Sequence, residues 1–116
     1  LSTSGQISGT AVSVDADYLA YGSAKAWAAL NGSTFGLKDS FNITSATDNG
    51  TGDYTFTIAN DMANANASLT ANSGAVTTRS IADCAAGTYE LDLFAADGST
   101  RGDSARAFTA LHGELA

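Results

Sequence analysis

The stretch Ser40–Ala59, SFNITSATDNGTGDYTFTIA, carries the strongest structural signal in this sequence. In its second half, Asp53–Ala59, aromatic and aliphatic residues alternate with threonines, which is typical of a half-buried β-strand. In its first half, Ser40–Thr47, we expect Phe41 and Ile43 to share one face of a second strand. The DNGTG sequence between the two halves supplies the glycines and asparagine that a tight hairpin turn needs. The stretch therefore predicts a β-hairpin.

Further strands are expected on both sides of this hairpin. They are Leu1–Val14 (a first strand or an N-terminal arm), Ala67–Ala71, Ala75–Ile81, Thr88–Phe94 and Arg106–His112. In Thr88–Phe94 the pattern places Tyr89, Leu91 and Leu93 inward and Glu90 and Asp92 outward. Strands at this spacing, separated by turn residues, predict an all-β fold: a jelly-roll-like antiparallel β-sandwich of about seven to nine short strands.

Three segments allow a helix instead. Tyr18–Leu30 is ambiguous: its part Ser23–Leu30 has good helix propensity, but as a strand that part would place Lys25, Trp27 and Ala29 on one face. Asn60–Asn66 is a polar connection that can hold one helical turn. Ser80–Gly87 can form a short helix ended by glycine.

The composition indicates one domain with a thin core. The 116 residues include five Phe, four Tyr, one Trp and one Met, and alanine supplies much of the 44 % hydrophobic content. A core with so few large side chains suits a sandwich of short strands, or a protomer that completes its core against neighbours. We therefore treat residues 1–116 as a single domain.

The charge balance excludes several function classes. Twelve acidic residues against five basic ones give a net charge of −7, whereas binding to nucleic acid or to an anionic membrane needs clustered Lys and Arg. No apolar run approaches the ~20 residues of a membrane span. Cys84 is the single cysteine, so an intrachain disulfide is impossible.

Four segments around the hairpin carry a family resemblance. They are Lys25-Ala26-Trp27, Asn31-Gly32, Asp39–Ser45 and Thr47–Thr57. In this order they resemble a small β-domain found near the C-termini of tail-fibre and other virion proteins of bacteriophages, notably marine phages. The family usually continues with a proline-containing segment, which Asp61–Asn66 matches only in part. The resemblance indicates that Ser23–Leu30 forms a strand and not a helix.

The resemblance implies a non-enzymatic structural protein of the virion, an extracellular particle. Such a domain would assemble as a homo-oligomer, expected to be a trimer, contact other virion proteins and display loops to a host-surface glycan or protein. The candidate recognition residues lie in three predicted loops: Asn31, Gly32, Asp48, Asn49, Asp53, Asp97, Arg101 and Asp103. One alternative is a capsid decoration or head-fibre protein whose N-terminal arm, Leu1–Val14, reaches a neighbour. A second is a monomeric secreted carbohydrate-binding module.

Other motifs have simpler explanations. Arg101-Gly102-Asp103 spells an integrin-recognition tripeptide, but the same residues are common in ordinary loops. The acidic and glycine-rich loop Asp48–Asp53 offers oxygen ligands for calcium without a known calcium-loop spacing, and Asp97 with Asp103 is a weaker pair. We therefore predict no metal site and no cofactor.

No set of catalytic residues stands out. Acid pairs such as Asp15 with Asp17 resemble solvated turn residues. His112 is the single histidine, and no nucleophile-elbow motif accompanies it. We therefore predict no enzymatic activity.

Trp27 has two interpretations. It can form an aromatic sugar-binding platform with Tyr18, Tyr21 and Tyr54. As the only tryptophan in a chain short of large apolar residues, it is more simply explained as a core residue, and we favour the core.

Overall fold

The computed structural model describes residues 6–9, 11, 13–74, 77–78 and 84–116. These residues form ten strands and one short helix. The strands are β1 (Gln6–Ser8), β2 (Ser13–Asp15), β3 (Ala24–Asn31), β4 (Gly36–Phe41), β5 (Ile43–Gly50), β6 (Asp53–Ile58), β7 (Ser68–Ser73), β8 (Thr77–Thr78), β9 (Thr88–Phe94) and β10 (Ala107–His112), and the helix is α1 (Ala16–Gly22). The helix is too short to cross a membrane, and no other helix occurs in the described residues.

Eight of the strands form two four-stranded antiparallel sheets. We call the sheet with strand order β4-β3-β10-β7 the first sheet and the sheet with order β5-β6-β9-β8 the second sheet. Strands β3 and β4, β5 and β6, and β8 and β9 pair as neighbours in both sequence and space. The last strand, β10, is an inner strand of the first sheet and pairs with β3 on one side and β7 on the other. The predicted all-β antiparallel sandwich is confirmed.

The core lies between the two sheets and is built by strict alternation. Its buried members are Ala26, Ala28, Leu30, Tyr54, Phe56, Ile58, Met62, Tyr89, Leu91, Leu93, Ala107 and Leu111. In the second sheet, the Phe56 and Tyr89 rings stack with centroids 4.9 Å apart. The inward faces predicted for β6 and β9 are therefore confirmed, because each places every second side chain in this core.

The first half of the predicted hairpin is two strands rather than one. Asn42 has a φ of 59° and separates β4 from β5, so the chain passes there from the first sheet to the second. Its side-chain amide donates to Lys25 O (3.0 Å) and Asn60 O (3.1 Å) and accepts from Asn60 N (2.8 Å). Phe41 is consequently exposed, while Ile43 packs against the core. The expectation that these two residues share one face is wrong, because a left-handed residue interrupts the alternation between them.

The N-terminal part also differs from the prediction. The described residues of Leu1–Val14 contain β1 and most of β2, which pair as a small hairpin with Gln6 opposite Asp15, instead of one strand. The helix α1 then occupies a segment where the sequence indicated only a turn followed by an ambiguous stretch. Strand β3 confirms the strand interpretation of Ser23–Leu30 and overturns its helical alternative.

Elsewhere the boundaries shift. Asn60–Asn66 forms no helical turn; Met62 enters the core and bridges to Leu115. The strand predicted over Ala67–Ala71 is β7. Of the strand predicted over Ala75–Ile81 the structure describes β8 alone, and of the possible helix over Ser80–Gly87 it describes residues 84–87, which are not helical. Strand β10 confirms the predicted last strand.

The turn between β5 and β6 yields a testable prediction. Gly52 has a φ of 64°, and a Cβ added there would lie 2.8 Å from Gly102 O and closer still to Leu93 O. Both the left-handed backbone and the contact disfavour a side chain, so we expect Gly52→Ala to lower the free energy of unfolding by about 2 kcal/mol or more. Urea denaturation measures this effect.

Gly36→Ala is the matched control, because nothing lies within 4 Å of a Cβ added in that strand. We expect it to change stability by less than about 1 kcal/mol. Equal effects of the two substitutions would contradict the close approach of backbone at Gly52.

Candidate functional site

The three loops with predicted recognition residues meet at one end of the sandwich. They are the β3–β4 turn (residues 32–35), the β5–β6 turn (residues 51–52) and the β9–β10 connection (residues 95–106). Backbone hydrogen bonds join them: Gly32 N donates to Ser104 O (2.8 Å), Leu93 N to Gly52 O (2.8 Å) and Gly102 N to Leu93 O (3.1 Å). We call this end the loop end.

Tyr54 connects the β3–β4 turn and the β9–β10 connection from the core side. Its ring is fully buried, and its hydroxyl donates to the Asp103 carboxylate and lies 3.2 Å from Gly32 O. Gly52 N donates to the same carboxylate oxygen, Oδ1 of Asp103, at 2.8 Å. Burial, followed by the hydrogen bond to Asp103, raises the pKa of Tyr54 above its ordinary value. The hydroxyl therefore stays protonated at neutral pH and can keep donating.

Arg101 ties the β9–β10 connection to the outer side of the second sheet. Its Nη1 lies 2.6 Å from Asp92 Oδ1, 3.2 Å from Gly52 O and 4.0 Å from Asp53 Oδ2. Its guanidinium carbon lies 5.1 Å from the centre of the Phe94 ring. Asp92, predicted to face solvent, is only 4 % exposed because the arginine covers it. The outward direction predicted for Asp92 is confirmed; its burial follows from the ion pair with Arg101.

Arg101 and Asp103 of the integrin-type tripeptide are exposed, but each already has partners within the domain. Arg101 pairs with Asp92, Gly102 continues a backbone bridge to Leu93, and Asp103 accepts from Tyr54 and Gly52. A receptor that binds this tripeptide needs its guanidinium and carboxylate as free partners. These contacts support a structural role for the tripeptide.

Of the eight predicted recognition residues, the structure gathers four into this framework: Gly32, Asp53, Arg101 and Asp103. Gly32 is buried, so it contributes backbone rather than contact surface. The other four surround the framework at the ends of strands or in the long connection: Asn31, Asp48, Asn49 and Asp97.

These four surrounding side chains mostly shape their own turns. Asn31 accepts from Ser33 N and Thr34 N, and Asp48 accepts from Gly50 N. Asn49 donates to Thr55 Oγ1 at 2.7 Å. The polar atoms of the loop end are thus fixed in position, which favours a rigid display surface.

Asp97 is the most heavily bonded of the four. Its carboxylate accepts from Ser99 N, Thr100 N and the Thr100 hydroxyl. The two backbone hydrogen bonds, with the hydroxyl, lower the pKa of Asp97 to about 2. Asp97 is exposed, so it presents a negative charge on the β9–β10 connection at neutral pH.

No group of three or more His, Cys, Asp or Glu side chains comes together among the described residues. The carboxylates considered for calcium do not converge: Asp53 faces Arg101, Asp103 faces Tyr54, and Asp48 accepts from its own turn.

A second feature, which sequence reasoning missed, is an aromatic outer face on the first sheet. Trp27 of β3 lies opposite Phe41 of β4, and Phe108 lies on β10, the strand on the other side of β3. The three side chains are 38 %, 54 % and 42 % exposed. Small residues separate them, since Ala110 lies opposite Trp27 and Ala29 lies opposite Phe108. We call the surface around Trp27, Phe41 and Phe108 the aromatic face.

The core position expected for Trp27 is therefore wrong, because the inward positions of β3 are Ala26, Ala28 and Leu30. The alternative, a sugar-binding platform with Tyr18, Tyr21 and Tyr54, cannot include Tyr54, which is fully buried. The alternation of side chains along β3 could have predicted this position: if Ala26, Ala28 and Leu30 face inward, Trp27 faces outward.

The outer face of the second sheet contrasts with this surface. Its register positions hold polar residues: Ser45, Thr47, Thr55, Thr57, Thr88 and Glu90. The aromatic face therefore distinguishes one side of the sandwich from the other.

Comparison with protein-family models, with curated proteins and with solved structures gives no match for this chain.

The Tyr54 hydroxyl provides a test of the loop end. We expect Tyr54→Phe to lower the free energy of unfolding by about 1–3 kcal/mol at neutral pH, because Asp103 loses a buried donor. Because the pKa is raised in the folded state, this contribution is complete below pH ~10, the ordinary tyrosine value, and declines as the pH rises above it. The difference between wild type and variant should therefore shrink at alkaline pH.

Urea titrations at several pH values measure this dependence. Tyr18→Phe is the control, since Tyr18 is 72 % exposed and its loss should change little at any pH. A Tyr54→Phe effect that is negligible or independent of alkaline pH would contradict the role of this hydroxyl.

The ion pair of Arg101 provides a second test. Arg101→Met leaves the buried Asp92 carboxylate without its cation, and we expect it to lower the free energy of unfolding more than a substitution at an unpaired surface arginine does. Adding Asp92→Asn should restore part of the loss, because the uncompensated charge is removed. Arg106→Met, at an exposed arginine, is the control. Additive effects of the substitutions at Arg101 and Asp92 would show that the pair does not act as a unit.

Proposed function

We propose that this chain is a non-enzymatic structural domain of a bacteriophage virion, of the tail-fibre or receptor-binding type. In this proposal the domain assembles as a homo-oligomer, with three copies around an axis, and points its loop end towards the host surface. The observation that carries the proposal is the aromatic face. The similarity of Lys25–Thr57 to phage virion domains supplies the biological context.

The aromatic face has the character of the centre of an interface. The exposed parts of its three aromatic side chains amount to something on the order of 300 Å², against roughly 800 Å² per partner in a standard interface. The charged residues around Trp27 and Phe108 are Asp39, opposite Ala29, and the largely buried Lys25, two residues before Trp27, in a chain of net charge −7. Contact through this surface therefore avoids most of the repulsion that two acidic copies would otherwise experience.

The loop end has the character of a display surface. Its backbone is held by Tyr54 and Arg101, while the side chains of Asp48, Asn49 and Asp97 are exposed. A fixed arrangement of polar groups loses little conformational entropy on binding, which favours recognition of a glycan or protein. In an oligomer, several copies of the loop end would bind together and gain avidity.

The aromatic face also supports a second candidate, a monomeric secreted carbohydrate-binding module. Trp27 and Phe41 lie side by side on a sheet surface, and exposed aromatic rings of this kind can stack on the apolar faces of sugar rings. This candidate predicts a monomer in which the aromatic face binds glycan. A third role, capsid decoration, uses the same aromatic face against a capsid protein.

The oligomeric state tests the proposal. Light scattering across a dilution series should give a mass near three times the 11.7 kDa of one chain. Phe108→Asp places a charge in the aromatic face and should lower the mass towards the monomer. Thr47→Asp places the same charge on the outer face of the second sheet and should leave the mass unchanged.

Circular dichroism confirms that each variant remains folded. A folded wild-type monomer at all concentrations would contradict assembly in isolation. Titration of that monomer with soluble glycans, and with Trp27→Ala as the comparison, would then test the carbohydrate-binding candidate.

A further inference from the structure

A groove of about 820 Å³ lies at the end of the sandwich opposite the loop end. Its walls come from five segments: α1, the start of β3, the β4–β5 junction, residues 59–60 after β6, and residues 114–115 after β10. Most of the wall is apolar, and its large apolar side chains are Leu19, Tyr21, Phe41, Ile43 and Leu115. This size and lining are typical of sites for small organic molecules, which occupy roughly 300–1,000 Å³.

Lys25 places a positive charge in this groove. The residue is 8 % exposed, and its Nζ donates to Ser23 O (2.6 Å) and lies 3.3 Å from Ser23 Oγ. The ion pairs found in the described part of the chain both belong to Arg101, so no described carboxylate lies within ion-pair distance of this ammonium group. Burial lowers the pKa of Lys25, in keeping with a cation that has only neutral partners.

A cation among apolar walls favours a ligand of matching chemistry. The Lys25 ammonium group has three N–H donors, and the two neutral oxygen atoms of Ser23 replace only part of the hydration that it loses on burial. A carboxylate would supply the missing opposite charge and a charge-assisted hydrogen bond. An alkyl or aromatic body would cover Leu19, Phe41 and Leu115 at the same time.

We propose that the groove binds a small amphipathic carboxylate, with its acid group on Lys25 Nζ and its apolar body along the walls. Glu114 also lines the groove. Its negative charge opposes such a ligand, so it sets an upper limit on the affinity. This proposal does not depend on the virion role. Phe41 belongs to both the groove and the aromatic face, so the oligomeric state is measured on the same samples.

Decanoate, decanol and decyltrimethylammonium provide matched probes, since they share an alkyl chain and differ in charge. Binding is followed by calorimetry and by the fluorescence of Trp27, the single tryptophan, which lies two residues from Lys25 on the same strand. We expect decanoate to bind at least about tenfold more tightly than decanol, as a charge-assisted hydrogen bond predicts, and the cation to bind least.

Three variants locate the effect. Lys25→Met keeps an unbranched apolar side chain without the charge and should weaken decanoate binding about tenfold while leaving decanol binding unchanged. Glu114→Gln removes the opposing charge and should strengthen decanoate binding several-fold. Lys38→Met, at an exposed lysine whose Nζ donates to Ala105 O, should have no effect.

Several results would overturn the proposal: no decanoate binding, equal binding of decanoate and decanol, or equal effects of Lys25→Met and Lys38→Met. If Lys25→Met does not fold, the probe series on the wild type and on Glu114→Gln still decides. Light scattering on the same samples separates this outcome from the virion proposal, since a trimer without decanoate binding refutes only the groove ligand.

Discussion

The approach of three backbone segments at Gly52, Leu93 and Gly102 is the constraint on which the loop end depends. Gly52 O accepts from Leu93 N, and Leu93 O accepts from Gly102 N, so a turn, a strand and a long connection share one row of hydrogen bonds. The row is tight enough that only glycine fits at position 52. Tyr54, Asp103, Arg101 and Asp92 act on this framework by holding the connection in place. The loop end is therefore an extension of the second sheet rather than a set of independent loops.

The core composition explains why large aromatic side chains lie outside. Ala26, Ala28 and Ala107 face inward in the first sheet and leave room for the large residues of the second sheet, such as Phe56 and Tyr89. Because side chains alternate along a strand, small inward residues at positions 26 and 28 force Trp27 outward. The alternation of small inward and large outward side chains in the first sheet thus explains both the thin core and the aromatic face. This connection gives the assembly proposal a physical basis that composition alone lacks.

The sequence predicts well those elements whose pattern is local. Strands β6, β9 and β10 follow from alternation within six or seven residues, and the fold class follows from their spacing. The break between β4 and β5 at Asn42 was not predicted, because nothing in the local sequence distinguishes a left-handed asparagine from an ordinary strand residue. Its conformation is set by contacts with Lys25 and Asn60, which are distant in sequence. The side of the sheet occupied by Trp27 was missed for a different reason, since residue size was given more weight than strand parity.

In the candidate site, too, the features set by local sequence were predicted and those set by distant contacts were not. Sequence identified the three loops, but it could not show that Arg101 and Asp103 face internal partners, because those partners are Asp92, Tyr54 and Gly52 on other strands. The groove beside Lys25 has no sequence signature, since its walls come from five separate segments.

Native-state hydrogen exchange at the amides of Gly52 and Gly102 tests the central claim, that the loop end is a rigid extension of the second sheet. We predict that both amides exchange as slowly as that of Leu93 within β9, because Gly102 N and Leu93 N donate within the row of backbone hydrogen bonds and Gly52 N donates to the Asp103 carboxylate that Tyr54 holds. The amide of Ser99, which bonds to the exposed Asp97, is the reference for a loop that opens locally. Exchange of Gly52 and Gly102 at the rate of Ser99 would contradict the account.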